Sequence, residues 1–311
     1  MFEKVLIPTD FSKYAEKLID CIGDVPGVKE VVLLNVVTRD PLARAWSPGD
    51  EVKEAEKKLT DARKRLEDMG LKAKVRVEPA LDVEVDETVR RIADEEGVSL
   101  IAMGAKGRGI LEGVLLGSVS TGVLRYAIKD LLIMRYKSLG AMKDEAFEKF
   151  CTRAFSKILC PIDFSDAGMS AVNAIKAGKM ADEVVLVHVI TRAESVDQLE
   201  AAMNEAEKRL YVIRDDLAAA GIRATVQVLK AGSGHARTYG TGGMVEVRSS
   251  AVAGGAAEKI IDASEKEDVS MIAMSSHGKG WIDQITIGSV VFDVARMARR
   301  PVLVIRSRKM A

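Results

Sequence analysis

An excess of charge of either sign is missing from this chain. Its 46 Lys and Arg balance 46 Asp and Glu, so no net field draws it toward nucleic acid or an anionic membrane. Long hydrophobic runs are missing as well. No apolar stretch reaches the ~18 residues that cross a bilayer. The opening M-F-E-K-V-L-I-P lacks a charged segment followed by an apolar core, so no secretory signal is legible. Cysteine is scarce: Cys21, Cys151 and Cys160 form an odd, scattered set without C-x-x-C spacing. Neither a zinc site nor a disulfide framework follows, and reduced, buried thiols in a cytoplasmic protein are the expectation. What is present is a chain of 311 residues, 48% hydrophobic and 30% charged. That suits a globular protein with two domains of about 150 residues each.

The chain repeats itself. K-V-L-I-P-T-D-F-S from Lys4 matches K-I-L-C-P-I-D-F-S from Lys157, and V-V-L-L-N-V from Val31 matches V-V-L-V-H-V from Val184, both at an offset of 153 residues. V-S-L-I-A-M from Val98 matches V-S-M-I-A-M from Val269 at an offset of 171, so the second half carries a net insertion of 18 residues. Gly70 matches Gly221, which puts the extra residues between Gly221 and Ser275. The Gly/Ser/Thr-rich run Gly232 to Gly255 is the expected place. It reads as a long loop, with room for a short hairpin at M-V-E-V-R.

Each half reads as strands alternating with helices. Strands are expected at Val5–Pro8, Val31–Val37, Lys74–Val77, Leu100–Met103 and Leu131–Arg135. Helices are expected at Lys13–Ile22 after a Ser12 N-cap, at Val52–Met69 before a Gly70 C-cap, at Val85–Glu96 and at Ser118–Lys129. The second half repeats the pattern and ends with Pro301–Ile305. Such alternation implies right-handed crossovers and a doubly wound parallel sheet in each half. The expected organisation is a domain at 1–140, a helical linker at 141–155 with the boundary near Lys149, and a domain at 156–311 with an inserted loop near 232–255.

The chemistry is expected at the carboxyl ends of the strands, where strand order reverses and open α/β sheets bind ligands. After the first strand comes Asp10, or Asp163 in the repeat. A carboxylate there either accepts hydrogen bonds from ribose hydroxyls or an amine, or caps the following helix. After the fourth strand comes Gly104-x-x-Gly107, nine residues, then Gly117-Ser118; the second half has Ser275-x-x-Gly278, nine residues, then Gly288-Ser289. Small residues let backbone amides approach a phosphate and permit positive φ, and the helix that follows presents free amides to an anion. Lys106 and Arg108 in one loop, and His277 and Lys279 in the other, either add charge to that site or form a solvated loop face. The pattern is not a Walker P-loop: Ala273 stands where its first glycine belongs, and Gly280 replaces its Ser or Thr. No G-x-G-x-x-G follows the first strand, and no S-G-G-x-D-S run is present.

With these residues in hand, the chain resembles a tandem universal stress protein over nearly all of both halves. The resemblance implies two tandem doubly wound five-stranded parallel sheets of order 3-2-1-4-5, of the adenine nucleotide alpha hydrolase-like kind. It implies ATP or AMP as ligand, with or without Mg²⁺, because ATP-binding members carry G-x2-G-x9-G-[ST]. Carried onto this chain, Pro8, Asp10 and Val36 would hold the adenosine side, and Met103, Gly104, Gly107, Gly117, Ser118, Val119 and Ser120 the ribose and phosphates. The second-half counterparts are Pro161, Asp163, Val189, Met274, Ser275, Gly278, Gly288 and Ser289. Ser275 departs from the motif's first glycine. Ala80-Leu81-Asp82 departs where members have Gly and Pro, while the second half has Gly254-Gly255. The resemblance also implies an intramolecular pseudo-dimer of the two halves and leaves a homodimer open.

The expected function is an adenine-nucleotide-binding stress-response or regulatory protein with little or no turnover. No candidate general base adjoins a nucleophile near either loop, and His188, His235 and His277 are scattered. His188 reads as a satisfied core residue at the end of a strand. Two alternatives stand beside this expectation. One is a slow ATPase or phosphotransferase using Asp10 or Asp163 with Mg²⁺. The other is a nucleotide-free interaction module working through the Gly232–Gly255 run, with His235, Arg237 and Tyr239.

Overall fold

The computed structural model describes residues 1–39, 49–81, 84–105, 116–135, 155–232, 236–240, 243–247, 255–278 and 287–307. The expected linker helix between 141 and 155 lies almost wholly outside them. Contacts divide the chain into two compact units, built mainly from Met1–Ala141 and from residues 142–311.

The first unit runs β1 (Lys4–Pro8), α1 (Lys13–Cys21), β2 (Glu30–Arg39), α2 (Gly49–Asp68), β3 (Lys72–Leu81), α3 (Val85–Glu95), β4 (Leu100–Gly104), α4 (Ser118–Tyr126) and β5 (Asp130–Met134). Its strands lie in the order β3-β2-β1-β4-β5, all parallel. Right-handed crossovers put α1 and α2 on one face and α3 and α4 on the other. Covered on both faces, the strands need no polar alternation, and Val5 to Ile7, Val31 to Leu34 and Leu131 to Met134 are buried almost completely. In α2 the buried residues Ala55, Leu59, Ala62 and Leu66 recur at helical spacing. Burying a side chain such as Leu59 contributes roughly 1.5–3 kcal/mol.

Local signals end these helices where they were expected to. Ser12 caps α1, its hydroxyl accepting from the Ala15 amide at 3.3 Å. After α2, Gly70 sits at φ +82, and Leu71 N–H reaches back to the Leu66 carbonyl at 3.0 Å. The space beside Gly70 is open, so its requirement is conformational, not steric. Helix α4 ends earlier than expected, because Ala127 already has extended backbone at ψ 141.

The second unit runs β6 (Lys157–Pro161), α5 (Ser170–Gly178), β7 (Glu183–Ile190), α6 (Val196–Ala219), β8 (Arg223–Lys230), β9 (Ala236–Gly240), β10 (Gly243–Val247), α7 (Ala256–Lys266), β11 (Met271–Ser275), α8 (Ser289–Met297) and β12 (Val302–Ile305). Its order is β10-β9-β8-β7-β6-β11-β12. The expected five parallel strands in the order 3-2-1-4-5 are present in both units, and here two further strands extend the edge at β8. The insertion supplies an antiparallel hairpin, with Val226 of β8 opposite Tyr239 and Gly240 opposite Gly243. The short hairpin for which M-V-E-V-R left room is therefore present, and it pairs through backbone groups that the edge of β8 leaves open. Helix α5 also begins late: its first residue, Ser170, aligns with Lys17 and not with Lys13. Gly168, a poor helix former, falls where the first turn would be.

The two units differ at the amino ends of their strands. Glu96 meets Lys4 at 3.3 Å, Lys74 at 2.8 Å and Arg76 at 2.7 Å. Hydrogen bonding to Lys74 leads in holding the Glu96 carboxyl down at about 2, with Arg76 and Lys4 adding to it against the cost of burial. Its counterpart Glu267 meets Lys157 at 3.0 Å and the neutral Gln227 at 2.6 Å.

Cys160 is a free thiol, pushed up to about 12 by burial. Cys21 is disulfide-bonded, which corrects the expectation of reduced thiols throughout.

Candidate nucleotide site

At the carboxyl end of the first sheet, β1 has β2 on one side and β4 on the other, and the chain leaves them in opposite directions. A cavity of about 600 Å³ opens there. Pro8 and Asp10 line it from the end of β1, Val36 from β2, Met103 and Gly104 from β4, and Gly117, Ser118, Val119 and Ser120 from the start of α4. Every expected first-half residue that the structure describes therefore meets in one place. Gly107, with Lys106 and Arg108, lies outside the described residues.

The wall below Asp10 is built by short-range bonds. Thr9 N–H donates to the Leu34 carbonyl at 2.8 Å, extending the β1–β2 ladder by one residue. The Asn35 amide donates to the Thr9 carbonyl at 2.8 Å. Phe11 then turns the chain at φ 58, a conformation that costs a non-glycine residue about 1–3 kcal/mol. Two bonds hold it: Phe11 N–H to Thr9 Oγ1 at 3.0 Å and Ser12 N–H to Asp10 Oδ1 at 3.0 Å. The capping reading of Asp10 is corrected by the next residues. Ser12 supplies the helix cap, while Asp10 fixes the turn before it and stays in the cavity wall.

The opposite wall is the amino end of α4. Gly117 stands at its N-cap with φ −70 and ψ 162, and no side chain caps the helix. The first-turn amides have no acceptor within the helix and carry the positive end of its dipole. Gly117 N–H donates to the Ala105 carbonyl at 2.9 Å, and the Ser120 hydroxyl to the Gly104 carbonyl at 2.9 Å. These two bonds tie the helix start to the end of β4. The far rim is acidic: Glu51 and Glu54 of α2 line the cavity, with Lys58 paired to Glu54 at 2.6 Å and 5.3 Å from the Phe11 ring centroid. An anion is thus favoured at the α4 end and disfavoured at the α2 end. The pattern of α2 gave no sequence signal for this rim, since alternating charges on a helix read as a solvated face.

Positive φ is not what the described motif glycines supply. Gly104 ends β4 as extended backbone, Gly117 and Gly288 have φ of −70 and −61, and Ser275 ends β11. The expectation is corrected accordingly. The strain sits at Phe11 and Phe164, φ 58 and 62, and Ser275 carries none.

The second unit repeats the backbone and fills it differently. Pro161 ends β6, Val189 lies in β7, Met274 and Ser275 end β11, and Gly288 and Ser289 open α8. Gly288 N–H donates to the Ser276 carbonyl at 2.9 Å, as Gly117 does to Ala105. His188 replaces Asn35, its Nδ1 2.7 Å from the Ile162 carbonyl and its ring centroid 4.6 Å from that of Phe164. That fits the expected role of a satisfied strand residue. His277 is buried, its Nδ1 2.9 Å from the Ser276 hydroxyl, and is no solvated loop charge. A β-carbon added to Gly278 or to Gly168 would fall on the Asp163 carboxylate.

The universal stress protein family model matches residues 1–135 and again 154–306. The chain belongs to the universal stress protein family. Two stretches, two matches and two 3-2-1-4-5 sheets make it a tandem of two such domains. It is 31% identical over 161 residues to the universal stress protein MJ0577 of Methanocaldococcus jannaschii, an alignment that covers 44% of this chain and 98% of that protein. It is 29% identical over 157 residues to the universal stress protein MJ0531 of the same organism, covering 50% of this chain and 84% of that one. A universal stress protein from Archaeoglobus fulgidus DSM 4304 has the same fold: TM-score 0.64 at 23% identity, over 99% of this chain and 97% of the other. Among the described residues no helix is long and apolar enough to cross a membrane, and no three His, Cys, Asp or Glu side chains gather as a metal site.

Proposed function

We propose that the first domain binds an adenine nucleotide, ATP or AMP, and that the protein acts in the stress response as a nucleotide-dependent regulator with little or no turnover. The observation that carries this reading is the cavity of about 600 Å³ whose one end is the uncapped amino terminus of α4 and whose other is an acidic rim. That polarity orients a ligand with a charged tail. The phosphates lie at the amides of Ser118 and Val119, beside Gly117. The adenosine lies between Pro8, Asp10 and the β2 backbone at Val36, where a carboxylate and open peptide groups suit ribose hydroxyls and an adenine edge.

Calorimetric titration with ATP, AMP and GTP tests this. The expected result is saturable binding of an adenine nucleotide by the wild type, weakened about 10–100-fold in Gly117→Val. That is the loss of one or two hydrogen bonds to a charged group. A Gly117→Val protein with an unchanged circular dichroism melt and unchanged affinity would sink the assignment. Phosphate release well above background, lost on Asp10→Ala, would move the reading to an ATPase.

A further inference from the structure

We infer that the second domain's site is closed by its own chain, with the Asp163 carboxylate as its built-in anion and Gly168 and Ser275 as the residues that put it there. The protein then takes up one nucleotide per chain, in the first domain. This rests on the nucleotide reading of that first site and goes beyond it by fixing which half is occupied and why.

The Asp163 carboxylate lies against two glycines at once, in the spaces where β-carbons of Gly168 and Gly278 would be. It accepts from the Ser165 amide at 3.0 Å and from the Ser165 hydroxyl at 2.7 Å. Gly278 is the motif's second glycine, whose bare backbone is the cradle for a phosphate. A carboxylate parked over it takes both the volume and the negative charge intended for the ligand.

Two sequence differences accompany this arrangement in the second half. Gly168 aligns with Ala15, which has a β-carbon where Gly168 has none and lines the cavity of the first domain. Ser275 aligns with Gly104, and its hydroxyl accepts from Ala171 N–H at 2.9 Å and donates to the Gly168 carbonyl at 2.8 Å. A glycine has no side chain with which to make that bridge. Ser275 therefore fastens the end of β11 to the β6–α5 turn, holding Gly168 beside Asp163. The other side of the turn is packed too: Phe164 stands between the His188 ring at 4.6 Å and the Arg209 guanidinium at 4.2 Å.

Equilibrium dialysis of the full chain against labelled ATP counts the sites. The wild type is expected to bind about one equivalent, and Gly117→Val about none at the same concentration. The double variant Gly168→Ala/Ser275→Gly, which gives the second half the first half's residues, is expected to bind about two. Should its melt show that this variant does not fold, the reciprocal Ala15→Gly/Gly104→Ser provides the test, with binding expected to fall from about one to none. One equivalent surviving in Gly117→Val would overturn the first-site assignment and this inference with it, while two equivalents bound by the wild type would overturn the inference alone. So would a folded double variant that still binds one, or a folded reciprocal variant that keeps its equivalent. No binding by the wild type would overturn the first-site reading and this inference with it.

Discussion

Asp10 and Asp163 follow matching strands, precede matching phenylalanines with φ of 58 and 62, and hold the amides of Ser12 and Ser165 at the same 3.0 Å. In the first domain the carboxylate belongs to the wall of a cavity of about 600 Å³, while in the second it lies on the backbone of Gly168 and Gly278. The backbone device was duplicated faithfully, yet the space above it was not. The sequence has a methyl at Ala15 and none at Gly168, and the Asp163 carboxylate lies where a β-carbon of Gly168 would be. Framework and site are thus under different control. The framework depends on apolar burial spread over many residues, which tolerates drift, whereas the site depends on one or two contacts that do not.

If the frameworks are equivalent, equal cuts should cost both domains alike. Leu59 and its counterpart Leu210 are both fully buried on the long helix of each domain. Leu59→Ala and Leu210→Ala are each expected to lower stability by about 2–5 kcal/mol, and by amounts within about 1 kcal/mol of one another. Urea unfolding followed by circular dichroism measures both. A wide gap between them would break the claim of equivalence.

Glu96 and Glu267 should differ. Because Glu96 titrates at about 2 when folded and near 4.5 when unfolded, its stabilisation is complete above pH 4.5 and is lost as pH falls toward 2. Glu96→Gln is expected to cost on the order of 2 kcal/mol at pH 7 and to flatten the acid limb of a melting-temperature profile between those values. Glu267, facing one lysine and a neutral Gln227, is expected to cost about 1 kcal/mol or less when changed to Gln. Equal costs would show that the three cations around Glu96 add nothing.

The smallest effect concerns Ser120, which aligns with Val291 in the closed domain. Ser120→Val removes the hydroxyl that holds the Gly104 carbonyl at 2.9 Å. The expected cost is about 1 kcal/mol of stability, with nucleotide affinity a few-fold weaker in calorimetry. Affinity unchanged would mean that this strap does not position the phosphate end.

Much of this was legible in the residues. The runs Val31 to Leu34 and Leu100 to Met103 are apolar without alternation because both sheet faces are covered, and Ser12 and Gly70 mark helix ends through bonds made within a few residues. The candidate residues of the first site were legible because a fixed spacing after a strand and before a helix places them at one end of a parallel sheet. Less was legible wherever the deciding contact joins distant positions. The hairpin β9–β10 is set by backbone pairing with β8, the acidic rim by where α2 lies over β2, and the Asp163 plug by a glycine five residues on and a loop more than a hundred residues away.

The sequence by itself determined the duplication, the order of strands and helices and the family, because burial periodicity and local capping act over short stretches of chain. Only the tertiary structure decided where the two aspartates lie, Asp10 in a cavity wall and Asp163 on the backbone of Gly168 and Gly278. That choice depends on van der Waals exclusion and hydrogen bonds among Ala15 or Gly168, Gly104 or Ser275, and an aspartate. These groups become neighbours only once the sheet has closed the distance between them.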